Sequence, residues 1–223
     1  MSLTSPGVDE TVPGRLLYRG AEADVVLGDW QGLPAVFNVR KPLTYRLAAI
    51  DREIRRQRTA HEAEMIRHAK RAGVATPFLY HLDLQTSTIV MEYVGGKMLR
   101  DLAGQMTAND AEEPFFKFGE GVARLHAAGM MHGDLTTANL VSREGTLVFL
   151  DFGLAHRTSR LEDHAVDLRL IKETLVGAHP GIAKAALDAL FRGYEAVAGT
   201  PKSRRVRSQL RNIERRGRYA RVT

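Results

Sequence analysis

Hydrophobic positions along the chain follow two kinds of spacing, and the change falls near residue 95. Before it, the apolar positions come in short runs, Leu16–Tyr18, Val25–Leu27, Ala35–Val39 and Thr88–Val94, separated by Gly, Pro and Asp. Runs of this length between turn residues predict β-strands. One segment among them differs. From Arg46 to Arg71, the residues Leu47, Ile50, Ile54, Ala63, Ile66 and Ala69 recur mostly every three or four positions. That spacing predicts one long helix, stopped at Gly73.

After Gly96 the helical period dominates. Asn109 and Glu112 are spaced as a capping box for a helix whose stripe is Phe115, Phe118, Val122 and Leu125, with Gly129 as its end. A turn at Gly145 leads into a predicted strand, Leu147–Leu150. Helices are then predicted over Ala165–Val176 and Ile182–Ala198. The expected architecture is α+β: a sheet-rich part with one long helix over 1–94, a helical part over 95–200, and a basic tail over 201–223. Gly95-Gly96 is the expected junction. The chain carries no internal repeat.

Composition narrows the class. With 223 residues, 44% apolar and 26% charged, the chain can form one large domain or two small lobes. No apolar stretch reaches the length of a membrane span. The first ten residues, Met-Ser-Leu-Thr-Ser-Pro-Gly-Val-Asp-Glu, lack a basic-then-apolar signal, so the expectation is a cytoplasmic protein with no membrane contact. The absence of cysteine excludes disulfides, thiolate nucleophiles and cysteine-held zinc or iron–sulfur clusters. The net charge of +6 is concentrated: residues from Pro201 onward carry +8, leaving −2 for the rest. So dense a positive end suits a polyanion such as nucleic acid, or an acidic protein surface; a solvated helix face is the plainer reading.

The chemistry gathers in two segments. His132-Gly133-Asp134-Leu135-Thr136-Thr137-Ala138-Asn139 is followed, behind the Leu147–Leu150 strand, by Asp151-Phe152-Gly153. An Asp, an Asn five residues later, and a strand ending in Asp-Phe-Gly make the order that phosphoryl transfer uses. That reaction needs a carboxylate to orient the attacking oxygen and metal to neutralise phosphate charge. Asp134 is the candidate base, and Asn139 and Asp151 are hard oxygen ligands for magnesium. Three upstream segments are open to two readings each. The turn Gly20-Ala21-Glu22-Ala23 either covers phosphates or merely closes a hairpin. Glu62 either pairs with a strand cation or lies on an exposed helix face. Met91-Glu92-Tyr93 is either a hinge whose backbone holds adenine or a plain buried strand.

The segment 132–139 resembles the His-Gly-Asp-Leu-Thr-Thr-Ser-Asn of the small kinase/ATPase of the KEOPS complex, the PRPK family of eukaryotes. The likeness extends through Gly20–Ala23, Tyr45-Arg46, 56–62, 71–77, Ile89–Glu92, Asp151–Leu154, Glu162–Leu168 and Arg215–Tyr219. It implies a minimal bilobal protein-kinase-like fold, a β-rich N-lobe with a small helical C-lobe. It further implies ATP and Mg2+ as cofactors and a role in threonylcarbamoyladenosine modification of tRNA. The implied partners are the threonylcarbamoyl-transferase subunit, other KEOPS subunits, and tRNA through Arg215, Arg216, Arg218 and Arg221 of a tail able to reach across a complex. Gly133 stands where protein kinases carry Arg, and no Ala-Pro-Glu follows, which argues against control by a phosphorylated activation loop.

One departure matters. The family pattern Lys-x-Arg-x-x-Lys-x-Tyr-Arg, anchored on Tyr45-Arg46, places Asn38 and Leu43 where it has lysines, while Arg40 keeps its position. Asn38 cannot supply the charge that meets ATP phosphates and the helix Glu. Arg40 or Lys41 then supplies it, or the sequence is altered there, or activity is weak. Two rivals accompany the kinase/ATPase reading: a kinase-shaped scaffold joining partners and tRNA, and a small-molecule phosphotransferase of the aminoglycoside-kinase kind.

Overall fold

The computed structural model describes residues 14–219. They divide into two compact units, and the division passes through the long helix. Residues up to Ala63 with Pro77–Tyr93 form the first unit; Glu64–Thr76 with the residues from Val94 onward form the second.

In the first unit, β1 (Gly14–Arg19), β2 (Ala23–Trp30), β3 (Leu33–Arg40), β4 (Leu79–Asp83) and β5 (Thr88–Glu92) make one antiparallel sheet in the order β1-β2-β3-β5-β4. Val26, Ala35, Ile89 and Val90 are buried in it. The register sets Asn38 opposite Val25, Arg40 opposite Ala23, and Val39 opposite Asp24. Side chains alternate along a strand, so Asn38 and Arg40 share one face and Asp24 lies on the other.

Helix α1 (Ala48–Arg71) starts two residues later than its spacing predicted. Its apolar stripe is only half right. Ala63, Ile66 and Ala69 are buried, whereas Leu47 and Ile50 are 74% and 54% exposed. From its start to residue 62 the buried positions of the helix are Asp51, Thr59 and Glu62. Each has a partner that makes burial tolerable: Asp51 meets Arg55 at 2.7 Å, Thr59 donates to the Arg55 carbonyl, and Glu62 meets Arg40 at 2.6 Å. A search for apolar period cannot see such a face.

The second unit contains β6 (Lys97–Met98), β7 (Met130–Met131), β8 (Leu140–Arg143), β9 (Thr146–Phe149) and β10 (His156–Arg157). It also holds α2 (Leu99–Ala103), α3 (Glu112–Ala127), α4 (Leu161–Ala178), α5 (Ala183–Ala198) and α6 (Thr200–Tyr219). A small sheet runs in the order β6-β8-β9, and β7 pairs with β10. Phe115, Phe118, Val122 and Leu125 of α3 are all fully buried, as their spacing predicts. Helices α3 and α5 cross at backbone distance: a Cβ at Gly119 would come within 2.0 Å of the Leu190 carbonyl oxygen, and one at Gly193 within 1.9 Å of that of Phe116. Only glycine permits this approach.

Two expectations need correction here. Asn109 and Glu112 form no capping box; α3 is preceded by Ala111 with no side-chain cap. The reciprocal pair lies two residues earlier. Asp110 accepts from the Thr107 N–H at 2.9 Å and hydroxyl at 2.7 Å, while the Asp110 N–H donates to Thr107 Oγ1 at 3.3 Å. Thr-x-x-Asp serves because the hydroxyl both donates and accepts. The basic end is not a loose tail within the described residues, because α6 packs on α4 and α5. Ser203, Val206 and Leu210 are buried at spacings of three and four, and Lys172 pairs with Glu214 at 2.6 Å. Arginine dominates its composition, but the first part of the helix buries a short face of Ser203, Val206 and Leu210.

Candidate active site

The segment from β7 to β9 is organised around Asp134 and Asn139. A single helical turn, Thr137–Asn139, carries Asn139 back toward Asp134. The Asn139 amide nitrogen donates to the Asp134 carboxylate and to its carbonyl, both at 2.8 Å. Both amide hydrogens are thereby spent, which leaves Oδ1 to accept from a donor or ligate a cation. Asp151, just past β9, is exposed and adopts φ +53. An aspartate in the left-handed region stores local strain, as functional positions often do. Its own carboxylate accepts from the Gly153 N–H at 3.2 Å. Two hard-oxygen side chains plus water and phosphate oxygens match what magnesium takes. No cluster of three or more His, Cys, Asp or Glu suited to a metal occurs among the described residues.

The backbone of this loop is held from beneath by Asp167 of α4, fully buried. Its carboxylate accepts from the N–H of His132 at 2.8 Å and of Gly133 at 2.9 Å, and meets His126 Nε2 at 3.1 Å. Burial pushes the Asp167 carboxyl up, but the His126 hydrogen bond and the two backbone donors outweigh it and hold it below the ordinary range. An ionised Asp167 makes His126 Nε2 the donor, so Nδ1 accepts from the Tyr194 hydroxyl at 3.0 Å. Burial, followed by the Asp167 charge, raises the Tyr194 hydroxyl pKa. Burial likewise holds His126 and His132 below the usual histidine range. His164 stacks on His126 with ring centroids 4.1 Å apart, and Lys202 of α6 donates to the His126 carbonyl at 2.9 Å. Gly133 sits at φ +84, where a Cβ would lie 2.6 Å from the Leu154 carbonyl oxygen. Any side chain there is strained, the arginine of protein kinases included.

In the first unit, Glu62 of α1 is 2% exposed and gripped from β3 on both oxygens: Arg40 Nη2 lies 2.6 Å from Oε2, and Asn38 Nδ2 donates to Oε1 at 3.3 Å. Lys41 turns elsewhere, to the Gly20 carbonyl at 2.8 Å and Asp24 at 2.9 Å. The turn Gly20–Ala23 closes with the Gly20 N–H on the Ala23 carbonyl at 2.8 Å, and its Glu22 carboxylate meets Arg46 and Arg58. At the β5 end, Met91 pairs with Val36 and Leu79 inside the sheet. The Glu92 N–H donates to the Phe78 carbonyl at 2.8 Å, and that of Tyr93 to Pro34 at 3.1 Å. Neither N–H is therefore open to a base, and the expected hinge is reduced to carbonyls and side chains.

Asp167 was absent from the candidate residues. Its signal was a charged residue inside the apolar stripe of α4, one position before Leu168, with Ile171 and Leu175 following at intervals of three and four. At the basic end, Arg215 is exposed with a 3.4 Å bond to Asn212, and Arg216 lies 3.5 Å from Glu162. Arg221 and the side chain of Arg218 lie outside the described residues.

A protein kinase domain model matches residues 41–179. Over 211 residues the chain is 35% identical to the KEOPS complex subunit Bud32 of Pyrococcus abyssi, covering 92% of this chain and 96% of that protein. It is 36% identical over 203 residues to a probable serine/threonine-protein kinase BUD32 homolog of Archaeoglobus fulgidus, covering 91% and 95%. It is also 38% identical over 208 residues to a probable bifunctional tRNA threonylcarbamoyladenosine biosynthesis protein of Methanobrevibacter smithii. There it covers 93% of this chain but spans only 37% of the relative. Among solved structures, a Rio2 kinase-ADP/Mg2+-phosphoaspartate complex from Chaetomium thermophilum aligns with TM-score 0.64 at 17% identity, covering 92% of this chain and 70% of that one. At that identity the likeness establishes a protein-kinase-like fold and nothing more specific.

Proposed function

This chain belongs to the Bud32 family of protein-kinase-like KEOPS subunits, and from that premise we propose that it is a magnesium- and ATP-dependent atypical serine/threonine kinase/ATPase serving threonylcarbamoyladenosine modification of tRNA. One observation carries the catalytic part: Asn139 spends both amide hydrogens on Asp134 at 2.8 Å. That bond fixes a carboxylate oxygen and frees an amide oxygen for metal, the two tasks phosphoryl transfer asks of such a loop. Asp134 orients the attacking hydroxyl or water and accepts its proton. Asn139 and Asp151 hold magnesium, whose charge offsets that on the transferring phosphoryl group. Glu62 positions the phosphate-binding cation, backbone groups of Gly20–Ala23 cover the phosphates, and Met91–Tyr93 wall the adenine.

The partners in this reading are the threonylcarbamoyl-transferase subunit and other KEOPS subunits, in the cytoplasm, with tRNA on the basic end of α6. No helix among the described residues is long and apolar enough to cross a membrane.

The experiment is nucleotide titration and ATP hydrolysis for the parent, Asp134→Ala and Asp151→Ala, with and without magnesium. Asp134→Ala should lose at least about a hundredfold in turnover while still binding nucleotide, because the base acts on the nucleophile. Asp151→Ala should lose the magnesium-dependent part of binding. Hydrolysis unchanged in Asp134→Ala would overturn the assignment, and a parent that binds but never hydrolyses would be the kinase-shaped scaffold instead. For tRNA, Arg215→Gln with Arg216→Gln should flatten the dependence of affinity on salt, since each lost phosphate contact removes released counterions.

A further inference from the structure

Four features of the first unit bear on which residue meets the phosphates once the family lysine at position 38 is gone. Arg40 shares a face of β3 with Asn38 and reaches the same carboxylate, Glu62, at 2.6 Å. Its Nε is buried with no hydrogen-bond partner among the described residues, although Nη2 is engaged. A buried guanidinium donor without an acceptor is costly, and a ligand oxygen removes that cost. Asn38 presents the opposite chemistry. Its Nδ2 spends one of two hydrogens on Glu62, and the atom left buried and unpartnered is Oδ1, an acceptor. Flipping the amide would set that oxygen against the Glu62 carboxylate, so the assignment is firm. A phosphate oxygen offers no hydrogen to Oδ1, and the second Nδ2 hydrogen brings no formal charge, so Asn38 cannot stand in for a cation at the phosphates.

Lys41 is excluded by direction. Its ammonium group lies against Asp24, on the opposite face of the sheet, and against the Gly20 carbonyl. Its charge closes the turn.

We propose that the phosphate-binding cation of this chain is Arg40, displaced two residues along β3 from the lysine position, with Asn38 as the positioning residue that holds the second oxygen of Glu62. The inference rests on the nucleotide-binding reading above. Arginine differs from lysine here because its fork can hold Glu62 through one nitrogen and a phosphate oxygen through another at the same time. Glu62 then selects the guanidinium rotamer rather than competing for it.

The test compares affinities for magnesium-ADP and for adenosine, which lacks phosphates, in the full chain. Arg40→Met should weaken ADP by about 10- to 100-fold, the worth of hydrogen bonds to a charged group, and leave adenosine unchanged. Asn38→Lys in the Arg40→Met background should recover most of that loss by returning the charge to the other position on the same face. Arg40→Met leaves Glu62 buried without its charge partner, so Arg40→Met with Glu62→Gln is measured alongside, with melting temperature reporting the fold. If the parent binds ADP far more tightly than adenosine and both Arg40 variants keep that preference, the inference falls while the nucleotide reading stands. If the parent shows no preference for ADP over adenosine, both fall.

Discussion

In the first unit Glu22, Asp51 and Glu62 each face two nitrogen-bearing partners: Arg46 and Arg58, Arg46 and Arg55, Arg40 and Asn38. In the second, Asp167 alone gathers the backbone of His132, the backbone of Gly133 and the ring of His126. The difference is one of redundancy. Arginines around shared carboxylates, several of them part-exposed, can exchange roles, and Glu62 keeps a partner in Arg40 although position 38 holds Asn rather than the lysine that the resemblance implies. A single buried carboxylate with three donors has no substitute. Charge at Glu22 and Asp51 is shared between two arginines each; in the second unit it is a buried anchor for the loop that carries Asp134.

The largest effect should come from breaking that anchor. Asp167→Ala strands two backbone N–H groups and a buried imidazole, and should cost about 3 kcal/mol or more of stability. Urea unfolding with unchanged slope and lower midpoint would register it. A cost near that of a surface substitution would show that His126 and the loop re-pair, and the contrast between the units would dissolve.

An intermediate effect follows from pH. Burial, and then the neighbouring His126 and Lys202, lower the His164 pKa to about 4, against about 6.5 in an unfolded chain. Between those values the unfolded state binds a proton that the folded state refuses, so stability is full above about 6.5 and falls as the pH drops toward 4. The loss near pH 4.5 should reach about 2 kcal/mol. His126 and His132 are depressed in the same direction. Melting temperatures from pH 7.5 to 4.5 should therefore decline, with a shallower decline in His164→Gln. An identical slope in that variant would assign the window to the other buried histidines.

The smallest effect belongs to the first unit. Glu22 is 40% exposed, so Glu22→Gln should change stability by less than about 1 kcal/mol despite removing the anion from two arginines. A loss comparable to that of Asp167→Ala would mean that the Glu22 pairs are structural after all.

Much of the site was legible because its signals are local. The Asp134–Asn139 pair spans five residues, and a short loop closing one helical turn brings such a pair together whatever surrounds it. The order of Asp134, Asn139, strand and Asp151, four of the five strands of the first sheet, and the buried stripe of α3 are likewise properties of spacing. Long-range partners were not legible. Asp167 meets residues 34, 35 and 41 positions away, and Glu62 meets Arg40 across 22. The docking of α6, hidden under a run of arginines, depended on a stripe with only Ser203, Val206 and Leu210 to show for it.

By itself the sequence determined four strands of the first sheet, the long helix, the stripe of α3, the order of Asp134, Asn139 and Asp151, and the absence of a lysine at position 38. Only the tertiary structure decided which cation holds Glu62, that the N–H groups of Glu92 and Tyr93 are already spent, and that Asp167 is an anchor rather than a surface charge. The physical reason is that period and turn chemistry are set by neighbours a few residues apart. A buried polar group, by contrast, is stable only with partners that packing brings from elsewhere in the chain.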